Sequence, residues 1–210
     1  MEIKTAYNIW AEIYDTNKNR TRDLEANALQ KVLQNLSFLN CLEIGCGTGK
    51  NTEWLVSKAE NILAIDLSDQ MLAKAKAKIN SDKVVFLQAD INEKWDFAGM
   101  AQFDLVTFSL VLEHIEDLDH IFQELSRAVK PNGHVYIGEL HPFKQYGGSK
   151  ARFETEEGLQ VVTCYTHHIS EFTGAAKKFG FAIEALDEFF DDNDKSQIPR
   201  ILTLLLKKIG

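Results

Sequence analysis

The stretch from Leu42 to Thr52 reads LEIGCGTGKNT and holds the residues best suited to grip a small ligand. An apolar run (Phe38, Leu39, Cys41, Leu42, Ile44) carries one acid, Glu43, and runs into Gly45, Gly47 and Gly49. A helix-forming segment, 50–58, follows at once. Buried strand, glycine turn and helix start, in that order, bring bare backbone N–H groups and the positive end of a helix dipole to the carboxyl end of a strand. Glycine suits the turn because it takes up unusual dihedrals and lets a ligand approach the backbone without meeting a Cβ atom. Two more acids close later apolar runs, Asp66 after 61–65 and Asp90 after 83–88. Asp66 stands about 20 positions beyond Gly45, where nucleoside-binding α/β folds place a carboxylate for the ribose hydroxyls. A helix cap or a solvated turn is the alternative for either aspartate. The glycine spacing is G-x-G-x-G. The dinucleotide fingerprint wants its last glycine one residue later, where this chain has Lys50.

These residues need a scaffold, and the chain has the means to build one. Its 210 residues fit a single domain with a full hydrophobic core. The apolar fraction of 45% and charged fraction of 26% are those of a soluble globular protein. No apolar run approaches the roughly 20 residues that span a bilayer. The first residues, MEIKTAYNIWAEIYD, lack the basic start and apolar core of a signal peptide. A formal charge of −8 argues against nucleic acid, because cationic side chains supply most non-specific affinity for phosphate backbones. Cys41, Cys46 and Cys164 show neither zinc-ligand spacing nor an even count for disulfides, so no metal is expected and a cytoplasmic setting is the simplest reading.

Strand and helix patterns alternate after the glycine turn. Apolar runs at 61–65, 83–88, 103–108 and 134–139 read as strands, with helices at 69–79 and 117–129 between them and a turn at Lys130-Pro131-Asn132-Gly133. Such alternation implies a parallel sheet with right-handed crossovers. One or two helices precede the first strand, from the spacing of Leu24, Ala28, Leu29, Val32, Leu33 and Leu36. The last third breaks the rhythm. A loop at 141–148 leads to a hairpin, 151–155 with 159–165, around Glu156-Glu157-Gly158. Ser170 is a candidate N-cap for a helix to Lys178. Two successive strands, 181–186 and 201–207, end the chain across an acidic loop.

The turn with its leading Glu43 resembles motif I of the class I S-adenosylmethionine-dependent methyltransferases, whose pattern is an acid, any residue, then G-x-G-x-G. Downstream, Asp66-Leu67-Ser68-Asp69-Gln70-Met71-Leu72 is similar to the family's D-x-S-x-x-M-L stretch, and 103–115 to its F-D-x-V-x-x-x-x-V-L-E-H-I segment. Arg127 to Gly133 resembles the family's L-K-P-G-G turn, with Asn132 in place of the first glycine. The resemblance is to the small-molecule type, similar to methyltransferase type 11 and UbiE-like enzymes, and covers roughly 39–140. It implies a Rossmann-like, doubly wound α/β fold, with a seven-stranded sheet that is mostly parallel, a reversed final strand and helices on both faces. The implied cofactor is S-adenosylmethionine, held by Glu43, Gly45, Cys46, Gly47 and Gly49 at the turn. The resemblance further implies Asp66 and Leu67 near the ribose, Met71, Asp90 and Ile91 around adenine, Ser109 and Leu110 at the methionine end, and Tyr14 closing over it. For Tyr14, pinning an N-terminal helix to the core is an equal alternative.

Methyl transfer to an unidentified small-molecule acceptor is the expected activity, and a general base is needed only where the acceptor loses a proton. Glu139 and His141, just past the strand 134–139, are the catalytic candidates, with loop structure as the alternative for His141. His167 and His168 read better as capping or packing at a helix start, and Glu113 with His114 as structural. Expected organisation is one domain over 1–210, with an N-terminal helical segment 1–37, a cofactor-binding core 38–140, an acceptor lid or hairpin 141–170, and a closing helix and strand pair 171–210. Tyr146, Phe153 and Tyr165 give that third segment aromatic surface for a lid; a homodimer contact is its alternative. Two rivals keep the same fold: aminopropyl transfer, and a regulatory protein that binds the cofactor without catalysis.

Overall fold

The computed structural model describes residues 2–16, 18–155 and 158–210. Among the described residues, nine strands and seven helices run in the order α1 (Ile3–Trp10), α2 (Arg20–Leu33), β1 (Asn40–Ile44), α3 (Lys50–Leu55), β2 (Asn61–Asp66), α4 (Asp69–Lys78), β3 (Val84–Gln88), β4 (Phe103–Ser109), α5 (Leu118–Ala128), β5 (Val129–Leu140), α6 (Pro142–Tyr146), β6 (Arg152–Thr155), β7 (Gly158–Val161), α7 (Ile169–Lys178), β8 (Phe181–Phe189) and β9 (Ile201–Lys208). Short 3-10 turns lie at Leu112–His114 and Asp191–Asn193. No helix among the described residues is long and apolar enough to cross a membrane.

Seven strands form one sheet in the order β3-β2-β1-β4-β5-β9-β8. The first five are parallel, and β9 lies antiparallel to both β5 and β8. Strand order reverses between β1 and β4. In an open parallel sheet the crevice at the carboxyl end of such a pair is where ligands bind. Side chains alternate along each central strand between two cores, as a period of two demands. Leu42, Ile44, Ile65, Val106, Phe108, Val135 and Ile137 face α5 and α7. Cys41, Ile62, Ala64, Leu105 and Tyr136 face Leu29 and Leu33 of α2, Leu55 of α3 and Leu72 of α4.

The helices follow from their sequences. Leu118, Ile121, Phe122, Leu125 and Ala128 make one buried stripe on α5, and the Asp117 carboxylate accepts the His120 N–H at 3.1 Å to cap it. Asn19 caps α2 by accepting the N–H groups of Thr21 and Arg22 at 3.0 and 3.1 Å. The cap of α7 is His168 rather than Ser170. There the Glu171 carboxylate reaches back to the His168 N–H at 2.6 Å, which fixes the entry two residues early.

Other boundaries move for local reasons. Helix α3 stops at Leu55, short of Lys58. The expected loop after β5 contains the single turn of α6, started by Pro142 at its first position. The hairpin is present as β6 and β7, while its tip, Glu156 and Glu157, lies outside the described residues. Lys130 to Gly133 forms a bulge inside β5 rather than a separate turn, with the register jumping from Phe103–Val129 to Leu105–His134. Asn132 sits there at φ +63°, a left-handed conformation that Asn tolerates. Asn132→Val is expected to cost about 1–2 kcal/mol of stability and Asn132→Gly close to nothing, read as shifts in the urea unfolding midpoint.

Candidate active site

The glycine turn comes first. It leaves β1 at Gly45, where φ is +69° and a Cβ would come within 2.3 Å of the Val111 side chain. That glycine is needed for packing as well as for its dihedrals. Gly47, at φ +53°, is different, because a Cβ there meets nothing nearer than the Tyr14 ring at 4.0 Å. Its backbone faces open space. Gly49 opens α3 at φ +83°.

Carboxylates hold this turn and its neighbour in place. One oxygen of Asp66 accepts the Gly47 N–H and the other the Ser68 N–H, both at 2.8 Å. Burial raises the Asp66 pKa, and these bonds oppose the rise. Across the switch point, Glu139 accepts the N–H groups of Val111 and Leu112 at 3.0 and 2.8 Å. This fixes the turn after β4, in which Leu110 takes the left-handed φ of +58° and donates its N–H to the Gly138 carbonyl at 2.8 Å.

Between these two anchored loops lies a cleft of about 690 Å³, measured with its open mouth. Gly45, Gly47, Asp66, Leu67, Asp90, Ile91, Ser109, Leu110 and Tyr14 all line it, so most of the expected cofactor residues converge. Glu43 and Cys46 border the adjoining cavity behind the turn. Gly49 and Met71 line neither. Met71 is fully buried with Ala6, Trp10 and Phe153, under α1.

The catalytic candidates fall outside the cleft. Glu139 is spent on backbone N–H groups and is 2% exposed. His141 is fully buried and caps α6 through the Phe143 N–H at 3.2 Å, while its Nε2 meets Glu188 at 3.0 Å. Glu113 and His114, set aside on sequence grounds, face the ligand space instead. His114 Nδ1 meets the Thr163 carbonyl at 2.8 Å, so that nitrogen carries the proton and Nε2 accepts from the Tyr7 hydroxyl at 2.8 Å. Tyr7 itself lies on α1. Its pairing with His114 has no signature in local sequence, because the two are brought together by the N-terminal helix folding over the sheet.

That helix is tied down on several sides. Asn8 accepts from the Ser68 hydroxyl at 2.6 Å, and Asp15 from the Thr48 hydroxyl at 2.6 Å. The Trp10 ring stacks on Phe153 of β6 at 4.9 Å between centroids. The segment after the hairpin is sewn to the 112–114 turn by the Tyr165 N–H donating to the Glu113 carbonyl at 2.7 Å.

Behind the turn is a buried polar cluster. Glu25 accepts from Asn51 at 3.0 Å and from the Tyr136 hydroxyl at 3.1 Å, and Glu43 accepts from the Thr52 hydroxyl at 2.6 Å. Burial pushes Glu25 up to about 7, and Glu43 and Glu139 up to about 8. A carboxyl whose folded pKa is raised stabilises the fold fully below its ordinary value near 4.5, and that contribution is lost as pH climbs through the raised value. The ligand-free protein should therefore lose stability between pH 5 and pH 8. Urea midpoints across that range check this, and Glu43→Gln should flatten part of the slope. A midpoint that rises steadily to pH 8 would contradict it.

Comparison with known proteins agrees with this geometry. Residues 42–137 match the methyltransferase domain family. An uncharacterized methyltransferase of Emericella nidulans is 26% identical, over 89% of this chain and 78% of its own length. The malonyl-[acyl-carrier protein] O-methyltransferase of Priestia megaterium is 28% identical, over 79% of this chain; the chain spans only 56% of that relative's length. In fold, the chain resembles an S-adenosylmethionine-dependent methyltransferase structure from Listeria monocytogenes, with a TM-score of 0.75 at 22% identity over 90% of this chain and 99% of that one. The domain match begins beside the glycine turn, and together with the shared fold it supports a class I S-adenosylmethionine-dependent methyltransferase.

Proposed function

We propose that the protein transfers the methyl group of S-adenosylmethionine to a small-molecule acceptor. The observation that carries this reading is the cleft between the Asp66-anchored turn and the Glu139-anchored loop, open at Gly47 and lined by Asp66, Asp90 and Leu110. Its residues suit the cofactor. Gly47 offers backbone without a Cβ, Asp66 and Asp90 offer carboxylate lone pairs, and Leu67, Ile91 and Ile115 offer apolar walls for a flat ring. Both Asp66 oxygens already accept a backbone N–H, and each keeps a lone pair for a hydroxyl. When bound, the cofactor supplies a methyl carbon activated by a positive sulfur, which an acceptor lone pair displaces to leave a neutral thioether.

The chain's own part is to bind, orient and keep out water. Tyr14 and Leu110 border both this cleft and the cavity beyond it, so the acceptor would enter there, past residues 7–14 and 18–22 on one side and 149–152 on the other. This gives the 141–170 segment the role of an acceptor wall. For an acceptor that must lose a proton, His114 is the placed group. Its Nε2 is held as an acceptor by the Nδ1 contact to Thr163, and Tyr7 connects it to the cleft. The P. megaterium relative is named for O-methylation, which favours an oxygen acceptor here.

Calorimetric titration tests the reading. S-adenosylmethionine and S-adenosylhomocysteine should bind and NAD should not; binding of NAD alone would overturn it. Asp66→Ala should weaken S-adenosylhomocysteine binding more than tenfold, since it removes two turn bonds and the ribose acceptor together. Unchanged affinity would take Asp66 out of the site.

A further inference from the structure

A second cavity opens from the cleft at Tyr7, Tyr14 and Leu110, and encloses about 960 Å³ with its mouth. Five cationic side chains line it, Lys18, Arg22, Lys150, Arg152 and Arg200, against one acid, Glu113. The whole chain has the opposite balance, 23 cations to 31 acids. A wall drawn at random from this surface would be acidic. We infer that this cavity binds the acceptor through an anionic group, a carboxylate or a phosphate, gripped by the cations on its two sides. The inference rests on the methyltransferase reading above and adds the acceptor's chemical class.

The individual side chains bear this out. Arg200 is committed elsewhere, since its guanidinium makes two 2.6 Å bonds to Asp191 and one of 3.2 Å to the Thr21 hydroxyl. It is a scaffold for the cavity floor. Arg22 is held in place by donating to the Tyr14 carbonyl at 2.6 Å, with its guanidinium 3.8 Å from the Tyr14 ring centroid. Lys18, Lys150 and Arg152 are exposed, and none forms an ion pair with a carboxylate among the described residues. Here the charge is left for a ligand.

Glu113 does not cancel this charge. It is 7% exposed, and its Oε2 is a buried oxygen with no hydrogen-bond partner. Burial raises its pKa, so its charged form is less favoured than that of an exposed carboxylate. Leu110 marks the junction of the two cavities, and its left-handed backbone is the kind of strain that persists where the surroundings fix it for a task. An anion held by Arg22, Lys150 and Arg152 would thus sit beside the passage to the cofactor cleft. A cationic acceptor would meet the wrong sign of charge at the same wall.

The test uses the full chain saturated with S-adenosylhomocysteine. Calorimetry follows titration with inorganic phosphate, benzoate, benzamide and spermidine. Phosphate, benzoate or both should bind, and whichever binds better identifies the phosphate or carboxylate class; benzamide and spermidine should not compete with them. The double variant Lys150→Glu/Arg152→Glu should lose at least tenfold in anion affinity while holding S-adenosylhomocysteine within twofold. The milder Lys150→Gln/Arg152→Gln should fall between, and covers the case of a misfolded double variant. Equal charge reversal at Lys74 and Lys78, on the outer face of α4, should leave anion binding unchanged. The inference is overturned if neither anion binds, if spermidine or benzamide binds as well, or if the α4 control loses as much affinity. Failure to bind S-adenosylhomocysteine at all would instead overturn the methyltransferase reading.

Discussion

Both walls of the ligand cleft hang on carboxylates that accept backbone N–H groups. Asp66 holds the glycine turn, and Glu139 holds the loop after β4. Each sits at the carboxyl end of a parallel strand, where the chain leaves the sheet and its amide groups would otherwise go unpaired in a buried setting. An unmet N–H in such a place costs about 1–3 kcal/mol, and several must be met within a few residues. A carboxylate answers two at once, and it does so from a neighbouring strand. That cross-strand link is what makes the turn conformation independent of any ligand, so the cleft is shaped before anything enters it.

Such anchoring carries an electrostatic cost, visible in the raised pKa values of Glu25, Glu43 and Glu139. Burial favours their neutral forms, and hydrogen bonds from Thr52, Asn51 and backbone amides pull the other way. The contrast with the far side of the cleft is sharp. There the charges are cationic, exposed at Lys18, Lys150 and Arg152, and carried by chain segments outside the sheet. The molecule thus separates a buried acidic interior behind the glycine turn from a basic wall across the opening.

The cofactor half was legible in the sequence because its parts are local. Glycine spacing and an acid at the end of each apolar run are short-range patterns, and the structure brings Gly45, Gly47, Asp66 and Asp90 together around one opening. The doubly wound sheet was legible for the same reason, through strand and helix periods and the pair of strands at the end. The basic cavity was not. Tyr7 meets His114 across more than a hundred residues, and Arg22 shares a cavity with Arg152 only because α1 and the β6–β7 hairpin pack together through Trp10 and Phe153. Proximity to the end of β5 made Glu139 and His141 seem to face the ligand. One turned inward to satisfy amides, and the other capped a helix that the pattern of a loop had hidden. Met71 fits its motif by sequence, yet the N-terminal helix covers it.

The stacking of Trp10 on Phe153 has a consequence for how this protein can change over generations. It joins α1 to the β6–β7 hairpin, the two segments that border the basic cavity, and neither belongs to the seven-stranded sheet. Lys18, Lys150 and Arg152 are exposed and belong to neither main core, and substitutions at such positions usually alter stability by less than about 0.5 kcal/mol. Under the proposed function, acceptor preference can drift cheaply while the donor half stays constant. A lineage built on this plan explores new substrates by redrawing one removable wall, with the aromatic pair as its hinge pin.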